Sequence, residues 1–172
     1  MKGSFHQRGF TLFELMVTVG LGAVLIGLAT PSILQFSQAS QLAGSSRDLV
    51  VDFSIARNEA VMRAQRVTVC TSANMTSCAN TSWALGRLVF VDGGAVGSIG
   101  GTDQVLTRTP ALPAAAAVTR SGIATSGYVS FLPNGRLTGV GIVNVCVPGQ
   151  TERRISLHRT GQATLNRTTI AC

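Results

Sequence analysis

Three changes of apolar and polar pattern divide the chain. Residues 1–9, MKGSFHQRG, are mostly polar and carry Lys2 and Arg8. From Phe10 the pattern turns apolar, FTLFELMVTVGLGAVLIGLATPSIL, and Glu14 is the single charge before Arg47. Phe10–Ala29 is about the length a helix needs to cross the hydrocarbon core. The cationic flank predicts a cytoplasmic N-terminus and an exported remainder. Beyond Pro31, Leu42, Leu49, Phe53, Ala56 and Ala60 recur at spacings of seven, four, three and four, which is one face of a helix. Asp52, Glu59 and Arg63 are expected on other faces, with Glu59–Arg63 a favourable i,i+4 pair. The helix is therefore predicted to continue to about Arg66.

The period then shortens. Val67–Thr71, Arg87–Asp92, Gln104–Thr109, Tyr128–Leu132, Ile142–Val147, Arg153–His158 and Ala163–Asn166 read as short strands. They are rich in β-branched and aromatic residues and are bounded by Gly, Asn and Pro. Asp92-Gly93-Gly94 and Pro133-Asn134-Gly135 are turns, Gly93–Thr102 is a Gly-rich stretch expected to be mobile, and Pro110–Ala117 has no clear period. The fold expected is α+β: a long N-terminal membrane-spanning α-helix whose distal half packs on an antiparallel β-sheet or sandwich. Its parts are a leader at 1–9, a transmembrane helix at 10–31, an amphipathic continuation at 32–66 and a β-rich globular domain at 67–172.

Composition adds a charge distribution. The 172 residues carry a net charge of +7, with Lys2 the only lysine. From Gln104 onward there are seven arginines and one acid, Glu152, so that part is about +6 by itself. Guanidinium forks suit phosphates and carboxylates, so an anionic partner is one reading and a solvated, soluble surface the other. Cys70, Cys78, Cys146 and Cys172 contain no C-x-x-C pair. An even count behind an export-type segment reads as two disulfides formed in an oxidising compartment. Three pairings are possible; the favoured one joins Cys70 to Cys78 locally and uses Cys146–Cys172 to tie down the C-terminus.

Glu14 is the residue that an ordinary anchor does not explain. A carboxylate inside an apolar span costs a few kcal/mol on insertion scales, so it calls for a partner. A free α-amino group, made by cutting the chain just before Phe10, is one. No small-residue signal-peptidase site follows the apolar run, which ends in Ala29-Thr30-Pro31-Ser32.

Gly9-Phe10-Thr11-Leu12-Phe13-Glu14 resembles the processing site of type IV prepilins and type II secretion pseudopilins. The resemblance implies cleavage between Gly9 and Phe10 by a prepilin peptidase, N-methylation of Phe10, and a role for Glu14 in assembly. It also implies a helix kink at Pro31. Cys70, Cys78, Trp83, Gly86, the segment Leu88-Val89-Phe90-Val91-Asp92, Phe131-x-x-Asn134-Gly135-Arg136, and the tail from Cys146 to Gly161 are similar to the globular part of the GspH/FimT group. That group holds pseudopilin H of type II secretion and certain minor pilins. The implied function is a minor pilin or pseudopilin at or near the tip of a type IV pilus or type II secretion pseudopilus. The implied partners are other minor pilins or pseudopilins, the major pilin, the prepilin peptidase and the bacterial inner membrane. The domain would be periplasmic, and energy would come from a cytoplasmic assembly ATPase.

No catalytic constellation is present in the sequence, and no cofactor or metal is expected. His158 is the only histidine beyond the first ten residues, no G-x-S-x-G accompanies it, and the Gly-rich stretch lacks a P-loop ending. The acids show neither an acid/base pair nor a calcium loop. The chemistry left is the basic tail. Alternation puts Arg153, Ile155, Leu157 and Arg159 on one face and Arg154, Ser156 and His158 on the other. Some members of the resembled group bind DNA for natural transformation through a C-terminal Gly-Arg-x-Arg motif. The matching place here reads Gly161-Gln162-Ala163-Thr164, without either arginine. DNA uptake through Arg153, Arg154, Arg159, Arg167 and Arg136 is therefore the alternative function. It would act through phosphates, because no aromatic residue follows Phe131.

Overall fold

The structure is a computed structural model that describes residues 10–101, 103–113 and 116–172; the side chains of residues 26–32 and 34 are outside the description. Two compact units divide the chain, Met1–Ser37 and Gln38–Cys172, and helix α1 (Leu12–Arg63) contributes residues to both. The leader through Gly9, including one side of the expected cleavage site, lies outside the described residues, and so does the side chain of Pro31.

In the first unit Thr11 caps α1, its hydroxyl accepting from the Glu14 backbone N–H at 3.2 Å. Phe10, Leu12, Phe13, Leu15 and Met16 are exposed. Among the described residues no helix is long and apolar enough to cross a membrane.

The second unit is a helix on two sheets. Leu42, Leu49, Phe53, Ala56 and Ala60, the five residues of the predicted face, are all buried. α1 stops at Arg63 rather than Arg66. Ala64 adopts φ 50°, and the Ala64 and Gln65 N–H groups reach back to the carbonyls of Val61 and Ala60. This is a Schellman end, which leaves Ala64 where glycine is usual.

Strands β1 (Val67–Thr71), β2 (Arg87–Val91), β3 (Gln104–Thr109) and β5 (Tyr128–Phe131) form one sheet in the order β3-β2-β1-β5. Strands β4 (Ala117–Gly122), β6 (Gly141–Cys146), β7 (Thr151–Leu157) and β8 (Ala163–Ala171) form the other, in the order β4-β6-β7-β8. The named strand pairs are antiparallel. Every residue of β1 and β2 is buried, and the two faces bury different things. One packs Val67, Val69, Val89 and Val91 into the main core with the helix. The other packs Cys70, Leu88 and Phe90 under Cys78, Ile99, Val105 and Tyr128. Burial on both faces is why these strands read as near-continuous apolar runs. In the other sheet β6 alternates strictly between buried and half-buried.

β4 falls where the sequence reading ended an aperiodic stretch at Ala117. Its Ala-Val-Thr-Arg-Ser-Gly has no apolar alternation and is half-buried at most. Its ladder to β6 and the Arg120 guanidinium on the Thr81 carbonyl and Asn80 side chain hold it in place. β8 runs to Ala171, five residues past the expected end, paired to β7 as far as Thr151.

Disulfides join Cys70 to Cys78 and Cys146 to Cys172. The first holds the loop covering the outer face of β1 and β2. The second fixes the end of β8, where the Cys172 N–H also donates to the Gln150 carbonyl at 2.9 Å. The Gly-rich loop is pinned at several points. The Asp103 carboxylate accepts from Gly93 and Gly100 N–H groups at 3.0 and 3.1 Å. Asp92 accepts from the Gly97 N–H, the Thr68 hydroxyl and Arg66.

Candidate functional site

The candidate side chains lie in two places: the start of α1 and the arginines on and beside the second sheet. Phe10 and Glu14 are solvent-exposed beside a run of exposed apolar side chains. The capping bond of Thr11 orders the first turn, and Glu14 is the acid within it. A carboxylate there also complements the positive end of the helix dipole.

The five tail arginines separate into three groups. Arg153 and Arg167 are direct cross-strand partners on β7 and β8. Side chains so placed stand about 5 Å apart at Cβ, and like charges there repel. They share the face of Ile155 and Leu165, which pair one step along and pack on the core. Arg153 is half-buried, and its Nε is buried without a hydrogen-bond partner. Its pKa is lowered, first by burial and then by the charges of Arg167 and of Arg47 on α1. Arg154 points to the opposite face, where it bonds Asn144 at 3.3 Å and Glu152 at 3.3 Å.

Alternation predicts Arg159 on the face of Arg153, but the structure does not place it there. β7 ends at Leu157, and the chain turns as the Gly161 N–H donates to the His158 carbonyl and the His158 N–H to that of Gln162. Arg159 is exposed in this turn. Its carbonyl accepts from Leu137, which brings it toward exposed Arg136. The turn fits because position 161 is glycine, with φ 80° and the Gly135 carbonyl oxygen where a Cβ would be. The Arg57 Nε donates to that same oxygen at 3.3 Å. Arg159 stands six residues from Arg153 along the chain, roughly 20 Å if extended. The arginines thus make no continuous track.

Asp52 was expected off the buried face of α1. Instead it is buried, and its Oδ2 takes the Arg87 Nε at 2.6 Å. Its Oδ1 accepts the Thr109 hydroxyl at 2.7 Å. Arg87 and Thr109 are themselves cross-strand partners on β2 and β3. Arg87 is fully buried and also donates to the Trp83 carbonyl at 3.2 Å. Trp83, packed on Phe53 with ring centroids 5.5 Å apart, donates to the Ala124 carbonyl at 3.0 Å. Nothing in the spacing of single residues signals this pairing, because Arg87 begins a strand 35 residues away. The cluster ties α1 to β2 and β3 within the core. The His158 ring Nε2 pairs with the Thr164 hydroxyl at 3.2 Å. Among the described residues no group of three or more His, Cys, Asp or Glu could hold a metal.

Comparisons agree with this geometry. The family described as type II transport protein GspH matches residues 45–161, and the prokaryotic N-terminal methylation motif matches residues 4–30. Among solved structures the chain is similar to the type IV minor pilin FimU of Pseudomonas aeruginosa. The TM-score is 0.61 at 18% identity, over 80% of this chain and 99% of that one. It is also similar to the minor pseudopilin EpsH of the Vibrio cholerae type II secretion system. There the TM-score is 0.52 at 12% identity, over 74% and 96% of the two chains. At such identities the likeness is one of fold. No curated protein matches significantly.

Proposed function

The chain belongs to the GspH family, and on that premise we propose that it is a filament subunit cut after Gly9, N-methylated at Phe10 and added at or near the tip. It is a minor pilin or pseudopilin of a type IV pilus or type II secretion system. The observation that carries the finer reading is the start of α1. A run whose one charge is Glu14 lies within the match to the methylation motif, and its described large apolar side chains from Phe10 to Leu25 are exposed. Exposed apolar surface on this scale calls for a cover. Before assembly the inner membrane would supply it, with the domain in the periplasm; in the filament, the helices of neighbouring subunits would. Glu14 would then face the α-amino group of a neighbour's Phe10, and removing the leader is what creates that amine.

The role is assembly rather than catalysis. DNA capture draws no support here. The five arginines split into three groups, two of them at opposite ends of β7 and the third on its other face.

Mass spectrometry of the N-terminus tests the reading. In cells with the prepilin peptidase the mature chain is expected to begin at N-methylated Phe10, and without the enzyme at Met1. A chain that keeps residues 1–9 inside purified filaments would overturn it.

A further inference from the structure

The second sheet ends in a free edge. β8 pairs with β7 on one side, and among the described strands none pairs with its other side. It is nine residues long, with a register shift opposite Thr151–Arg153 where the Ile170 N–H donates to the Thr168 hydroxyl; along residues 163–167 its outer edge lacks a ladder partner, a template for another strand. At this edge the chain also gathers positive charge without a counter-charge. Arg153 and Arg167 are cross-strand neighbours. Arg47 of α1 is close enough for its charge to act on Arg153. Among the described residues none of the three makes an ion pair. The acids nearest in sequence do not serve: Glu152 bonds Arg154 on the other face, and Asp48 is exposed on α1. Cross-strand like charges are destabilising, and the buried Nε of Arg153 has no acceptor.

We propose that the free edge of β8 receives an extended acidic segment of a neighbouring filament subunit, its carboxylates held by Arg153 and Arg167, with Arg47 adding to the local positive charge. A strand added to β8 would set alternate side chains on the face that carries Arg167 and Arg153. A carboxylate opposite Arg167 would then meet guanidinium forks from two strands. A polypeptide suits the site better than a nucleic acid. Only a polypeptide satisfies the unpaired N–H and C=O groups of β8, and the remaining tail arginines are elsewhere. That the partner is a filament subunit rests on the function proposed above; the carboxylate chemistry does not.

The test uses the full chain in neutral detergent and a dye-labelled seven-residue peptide alternating glutamate with valine. Its twin carries glutamine for each glutamate. By anisotropy the glutamate peptide is expected to bind about tenfold or more tighter than the twin, the scale of a charge-assisted hydrogen bond. Arg153→Gln and Arg167→Gln should each weaken it about tenfold, and Arg159→Gln should leave it unchanged. Arg167 is exposed, so its variant keeps the test independent of folding, and Arg167→Lys should recover part of the loss. Equal binding of the two peptides, or indifference to Arg167→Gln, overturns the proposal. So does a single-stranded oligonucleotide that binds through these arginines while the peptide does not. Because binding is read on purified protein, it stands or falls separately from filament entry.

Discussion

Removing the carboxylate of Asp52 tests the packing of α1 on the first sheet. The side chains of Asp52 and Arg87 are 3% and 0% exposed. In Asp52→Ala the guanidinium stays buried and loses its 2.6 Å partner. Its Nη2 already lacks an acceptor, so only the Trp83 carbonyl remains to it. The Thr109 hydroxyl loses its acceptor as well. An uncompensated buried charge of this kind costs about 3–5 kcal/mol. For a unit of this size that corresponds to a fall of roughly 10–20 °C in melting midpoint. Trp83 is the only tryptophan and packs beside the pair, so its fluorescence reports the transition directly in the detergent-solubilised chain. The double variant Asp52→Leu with Arg87→Met removes both charges. It should recover most of the loss, because breaking a buried pair costs more than replacing it. A single variant within about 1 kcal/mol of the parent, or a double variant as unstable as the single, would refute the reasoning.

Gly161→Ala should lower stability by about 2 kcal/mol or more, since φ 80° is unfavourable for alanine and its Cβ meets the Gly135 carbonyl; denaturant midpoints check this. Ala64→Gly should raise stability by about 0.5–1 kcal/mol by relieving the left-handed residue at the end of α1, which the same titration would show. Glu14→Ala should insert into membranes at least as well as the parent, the carboxylate costing about 3 kcal/mol there, yet fail to enter filaments. Immunoblots of membrane and sheared-filament fractions separate the two effects, and normal incorporation would sink the assembly role of Glu14.

Much of the architecture was legible because it repeats. The seven-four-three-four spacing of Leu42 to Ala60 marks the buried face of α1, since a helix turns the same side inward at that interval. β1 and β2 announce themselves as apolar runs because both of their faces are covered. The methylation motif at residues 4–30 is legible because it is a local stretch of chain, independent of the fold. Long-range partners were not legible. Asp52 looks like a surface acid along α1, and only the sheet brings Arg87 and Thr109 to it. β4 carries no apolar alternation, because this edge strand is held by its ladder to β6, by Arg120 and by Val118 alone among its apolar side chains. The tail arginines form one patch in the sequence and three groups in the fold. Strand alternation parts Arg154 from Arg153, the Gly161 turn takes Arg159 away, and cross-strand register sets Arg167 against Arg153. Local periodicity follows from backbone geometry that every residue shares, so it can be read along the chain. Which side chains meet depends on sheet order and register, which exist only after the chain has folded.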